Sequence, residues 1–170
     1  TTMLLWLSTV AQLFDTAFDR ADEFPSWFAM VALLSAPASL LNARLVMRFG
    51  MQRMVTVALG MQLAMVSLCL LGFGLHLPFA GFALFVAMML IQFFTIGFLV
   101  GNLNALTLDP MGHVAGMAAS VAGGVSTMCA AFLAALLAHF VAGDPAVLAA
   151  GVLLALLGSA ACMALARRVG

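Results

Sequence analysis

Six stretches of this chain, residues 3–18, 25–46, 54–75, 78–106, 111–142 and 146–166, are apolar almost without interruption. Crossing the hydrocarbon core of a bilayer as an α-helix takes about 20 such residues. The helix is imposed by the solvent, because lipid offers no partner to a backbone N–H or C=O. The pattern predicts an all-α, polytopic membrane protein with six transmembrane helices. Composition bears on this at one point. Charged residues make up 7% of the chain, against about 25% in an ordinary soluble domain, which is too few to cover a surface facing water. The first run is short for a full span and begins at Thr1 with no charged leader before it. The expectation is a truncated first helix with further chain upstream.

The prolines punctuate the runs. Pro25, Pro78, Pro110 and Pro145 each stand where a span begins, the position at which a missing N–H costs nothing. Asp109 before Pro110 and Asp144 before Pro145 read as helix caps, accepting backbone N–H bonds at the starts of spans five and six. For Asp109 a functional carboxylate is the alternative. Pro37 lies inside span two, between Ser35 and Ser39, and predicts a kink whose freed carbonyl is satisfied by neighbouring helices or hydroxyls.

Arginine sets the orientation. Arg44, Arg48 and Arg53 lie between spans two and three, and Arg167 and Arg168 follow span six, which places five on one side and Arg20 alone on the other. The positive-inside rule makes the five-Arg side cytoplasmic, with both ends of the segment there and the acidic loop Asp15–Glu23 outside. The scattered Arg and zero net charge exclude a nucleic-acid footprint.

Polar side chains fall on stripes at 100° per residue. Ser8, Gln12 and Asp15 share a face of span one, Ser35, Ser39 and Asn42 of span two, Gln92, Thr95 and Asn102 of span four, and His113, Gly116, Ser120, Gly123 and Thr127 of span five. Spans three and six lack a stripe: Thr56 and Gln62 point different ways, and span six offers Ser159. Polar groups at membrane depth face a bundle interior or a water-filled cavity. Two readings follow: four helices line a cavity while two face lipid, or the polar groups glue helices together. On the cavity reading Gln12, Gln92, Thr95, Asn102 and Ser120 are the candidate substrate-binding residues. They sit in a Phe- and Met-rich wall whose adaptable packing suits amphipathic small molecules. Asp15 is the candidate proton-coupling carboxylate. Asn104, with Gly97-x-x-x-Gly101 on the back of span four, reads as helix–helix glue. Gly112, Gly116, Ser120 and Gly124, flanked by Ala115, Ala119 and Gly123, form a strip of small residues. It fits close approach either by a second half or by a helix of the same bundle.

Cys69, Cys129 and Cys162 stand alone in apolar runs, with no Cys-x-x-Cys and no His at ligand spacing; no metal and no cofactor is expected. An intramembrane serine protease would need a Ser within reach of a His. Ser126 follows Gly124-Val125, but Thr127 stands where a Gly-x-Ser-Gly motif wants glycine. His113 and His139 lie about 39 Å apart along one helix at 1.5 Å per residue. A free-standing six-helix protein that dimerises to transport is a further alternative.

The stretch "NLNALTLDPMGHVAGMAASV", residues 102–121, resembles the junction between helices ten and eleven of major facilitator superfamily drug:proton antiporters of the bicyclomycin/chloramphenicol-resistance branch. "LLNARLVMRFGMQRMV", residues 40–55, resembles that branch's loop between helices eight and nine. In the latter Arg48-Phe49-Gly50 keep the centre of the superfamily's loop motif, while Met47 replaces its Asp, Ala43 its first Gly and Met51-Gln52 its Arg pair. The resemblance implies that the chain is the C-terminal half of a twelve-helix transporter of the bacterial inner membrane. Its partners would be an N-terminal six-helix half, protons and a small-molecule substrate. It implies too that spans one, two, four and five line the cavity, the same division as the stripes, with alternating access as the mechanism.

Overall fold

The computed structural model describes residues 1–75, 80–108, 114–141 and 143–169. Seven α-helices follow one another: α1 (Thr2–Thr16), α2 (Phe24–Ser35), α3 (Pro37–Phe49), α4 (Met51–Gly74), α5 (Ala80–Leu108), α6 (Ala115–Val141) and α7 (Pro145–Val169), with a 3-10 turn at Ala21–Glu23 and no strand among the described residues. Five helical stretches, Ala21–Phe49, Met51–Gly74, Gly81–Leu108, Ala115–Val141 and Pro145–Leu165, are long and apolar enough to cross a membrane. The chain is an all-α, multi-pass membrane protein. The 15 residues of α1 rise about 22 Å, against a hydrocarbon core of about 30 Å.

The second sequence run is broken into α2 and α3, and Pro37 explains the break. It has no N–H to give to the Leu33 carbonyl. Ala36 N donates instead to Ala32 O at 3.0 Å and to Leu33 O at 3.3 Å, a shared bond that satisfies the carbonyl from the backbone. No hydroxyl is recruited, contrary to the sequence-based expectation; Ser35 Oγ is buried without a partner. Ala36 keeps helical angles, φ −54° and ψ −39°, so the helical path continues through the break.

Helix α5 is the hub. It packs along α4 and also touches α1, α2, α3 and α6, and no residue from Leu84 to Leu99 is exposed. A helix that is apolar all round belongs in such a place. Phe85, Met88 and Met89 meet Leu5, Trp6, Leu13 and Phe14 of α1, together with Leu148, Ala149 and Val152 of α7, in one continuous core. Gly97 lets α3 come close: a Cβ there would lie 2.9 Å from Ala38 Cβ and 3.2 Å from Ser39 N. Gly101, the other member of the close-packing pair read from the sequence, has open space beside it.

The bundle has an acidic end and a basic end. At the acidic end the turn before α7 docks on α1. Gly143 has φ +84°, and a Cβ on it would lie 2.8 Å from Thr16 Oγ1, so glycine is required both by the backbone angle and by the approach. Asp144 Oδ1 then accepts from Ala146 N at 2.8 Å, capping α7. Nearby, Arg20 pairs with Glu23 at 3.3 Å and stacks 4.5 Å from the Phe82 ring centre. Trp27 Nε1 donates to the same carboxylate at 2.9 Å. Asp109, with Pro110, Gly112, His113 and Pro78, lies outside the described residues.

Candidate functional site

Three of the residues singled out from the sequence lie on α5 and are buried: Gln92 at 3% exposure, Thr95 at 0% and Asn102 at 4%. Each is bonded across a helix boundary. Gln92 Nε2 donates to Thr2 Oγ1 on α1 at 2.9 Å. Thr95 Oγ1 accepts from Gln62 Nε2 on α4 at 2.6 Å and donates back to Ile91 O at 2.7 Å. Asn102 Nδ2 donates to Asn42 Oδ1 on α3 at 2.8 Å and to Phe98 O at 2.7 Å. Together they form a polar seam that ties α1, α3 and α4 to the hub. This is the gluing arrangement, which in membrane bundles is worth about 0.6–1.7 kcal/mol per bond.

The seam corrects the reading of two positions. Gln62 lies on span three, taken as a plain lipid-facing helix, yet it is 2% exposed and completes the bond to Thr95. A single polar residue makes no stripe, so its signal was its isolation in an apolar run. Its Oε1 is buried without a partner. Asn104, read as helix–helix glue, is exposed, while Asn102 is buried and bonded to Asn42. The 100° spacing separates the two faces of span four, but the direction of each face depends on where the neighbours sit.

The other candidates are not brought to the seam. Gln12 and Asp15 are exposed on α1, beside exposed Ser8, while Leu5, Trp6, Val10, Leu13 and Phe14 fill the opposite face. Ser120 is exposed on α6, its hydroxyl donating to Gly116 O at 3.0 Å. Gly116, Gly123 and Gly124 have nothing within 4 Å of where a Cβ would stand, so these three glycines of the small-residue strip pack against no helix of this bundle. The two helices carrying these open polar faces, α1 and α6, pack against each other.

A cavity of about 1080 Å³ opens between α5, α6 and α7 in the basic half of the bundle. Its walls include Leu106, Leu133, Leu137, Leu154 and Met163, with Thr1, Gln52, Thr107 and Ser159 as polar points. None of the residues predicted to bind substrate lines it. Its volume matches sites for drug-sized molecules, and its lining is that of an apolar binding site with few polar groups. Sequence reasoning missed it because a cavity formed by the divergence of three helices has no local signature. Compared with family models, curated proteins and solved structures, the chain matches none.

Proposed function

We propose that this six-helix unit is one half of a membrane transporter that exports small amphipathic molecules in exchange for protons. One observation carries the reading. Two adjacent helices, α1 and α6, turn Ser8, Gln12 and Asp15, and Gly116, Ser120, Gly123 and Thr127, away from their own bundle. Polar groups and bare backbone at membrane depth are costly against lipid and useful against a second protein surface or a water-filled path. The second surface is a further six-helix half, and the space between the halves is the substrate path, opened alternately to either side.

On this reading Gln12 and Ser120 contact substrate directly. Gln92, Thr95 and Asn102 hold the wall behind them, and Asp15 carries the proton. The resemblance of residues 40–55 and 102–121 to drug:proton antiporters points the same way. In cells exporting a fluorescent cationic dye through the native full-length polypeptide, Asp15→Asn abolishes proton-driven efflux and leaves dye binding intact. Efflux that proceeds unchanged in Asp15→Asn removes the carboxylate from the mechanism. A native mass equal to that of six helices alone favours the self-dimerising alternative over the two-half transporter.

A further inference from the structure

The formal net charge of the chain is zero, but the topology separates its charges. Five acids, Asp15, Asp19, Asp22, Glu23 and Asp144, gather at the acidic end with Arg20. The other five arginines stand at the opposite end, and the sixth acid, Asp109, lies outside the described residues. Between Phe24 and Leu108 there is no carboxylate at all, and Arg44, Arg48 and Arg53 are the charges. All three are exposed. Among the described residues the one ion pair is Arg20–Glu23, at the far end.

At the turn joining α3 to α4 lies a hollow of about 740 Å³ whose lining includes Phe49, Gly50, Gln52, Arg53, Thr56 and Leu106. Arg53 stands in its wall. Arg48 lies with its guanidinium 5.4 Å from the centre of the Phe49 ring, another wall residue. Arg53 also occupies the first turn of α4, where the helix dipole is itself positive and a cation is disfavoured. A positive hollow with no carboxylate on α3, α4 or α5 is complementary to an anion.

The surroundings select the kind of anion. One and two turns into the bilayer from Arg53, on the same side of α4, Val57 and Met61 are exposed, 53% and 38%. On α3 the arginines are flanked by exposed Leu40 and Met47, 71% and 88%. A phosphate held by the guanidinium groups would therefore have apolar surface directly beneath it, at the depth of acyl chains.

We propose that the α3–α4 turn is a binding site for the phosphate of an anionic phospholipid, with Arg53 and Arg48 contacting the headgroup and Val57 and Met61 contacting an acyl chain. Basic pockets between transmembrane helices take such headgroups, and each arginine near a charged lipid surface contributes enough to change affinity about fivefold. The site requires a membrane-spanning bundle and does not depend on transport.

Native mass spectrometry of the detergent-solubilised protein tests this with dioleoylphosphatidylglycerol, dioleoylphosphatidylcholine and inorganic phosphate as probes. The wild type retains phosphatidylglycerol in preference to phosphatidylcholine. Arg48→Gln and Arg53→Gln each weaken that binding about fivefold, and the double variant on the order of twenty-five-fold, with melting temperatures in lipid-free detergent unchanged. Arg20→Gln, which removes the same charge at the other end, leaves it intact. Equal retention of the two lipids overturns the proposal, as does unchanged phosphatidylglycerol binding in the double variant or an equal loss in Arg20→Gln. Competition by inorganic phosphate as effective as by the lipid assigns the hollow to a soluble anion and overturns the lipid reading.

Discussion

Helices α5 and α6 are both long and apolar enough to span a membrane, yet they live in opposite surroundings. From Leu84 to Leu99 nothing on α5 is exposed, whereas from Gly116 to Leu133 every residue of α6 except Ala118 and Ala130 is exposed. The polar residues follow the same division. On α5, Gln92, Thr95 and Asn102 are spent on bonds to three neighbouring helices. On α6, Ser120 and Ser126 turn back to their own backbone at Gly116 O and Gly123 O. One helix finishes a bundle, and the other leaves a face free for something else. Hydropathy alone cannot separate the two, because lipid and protein core are equally apolar solvents for a helix.

Glycine substitution breaks this contrast most sharply. Gly97→Leu drives a side chain into Ala38 and the backbone of Ser39, atoms that cannot move aside. The expected loss is about 3 kcal/mol, at the upper end of overpacking costs, seen as a large fall in the detergent melting temperature. A near-wild-type melt for Gly97→Leu would mean that α3 and α5 separate freely. Thr95→Val comes next. It removes the acceptor of Gln62 Nε2 and leaves that buried amide with no partner at either atom, for a loss of about 1–2 kcal/mol. The double variant Gln62→Leu/Thr95→Val should recover most of it, since two apolar side chains leave nothing unpaired. Failure to recover would show that packing, and not the bond, sets the cost. Asp144→Ala costs about 1 kcal/mol as a lost N-cap, measured as earlier exchange of amide protons in the first turn of α7. The smallest effect is expected at Gly124→Leu, where open space awaits the side chain and melting should stay within about 0.5 kcal/mol of wild type. A melt as low as that of Gly97→Leu would put α6 inside the bundle.

Much of the architecture was legible in the sequence because membrane insertion is a question of length and polarity, which a linear reading measures. The starts of α2 and α7 at Pro25 and Pro145, and the break at Pro37, came from one property, the missing N–H. What could not be read was azimuth. The stripe Gln92–Thr95–Asn102 was identified as one face of one helix, but whether it looked into water or into a neighbour depended on α1, α3 and α4 arriving at that face. Gln62 was passed over for the same reason, its meaning residing in Thr95, 33 positions away. The stripes of α1 and α6 were also visible, and there the neighbours did not arrive.

The aromatic packing around α1 gives this protein a built-in optical reporter. Its two tryptophans sit in very different solvents. Trp6 is fully buried, its ring centre 5.3 Å from that of Phe85, with an indole N–H that donates to nothing. Trp27 is bonded to the Glu23 carboxylate at the acidic end. Emission from Trp6 should be strongly blue-shifted and insensitive to water-soluble quenchers, and that from half-buried Trp27 further to the red and more readily quenched. With Trp27→Phe, Trp6 is the one tryptophan left in these 170 residues, at the meeting point of α1 and the hub, and its colour follows any rearrangement that carries α1 away from α5.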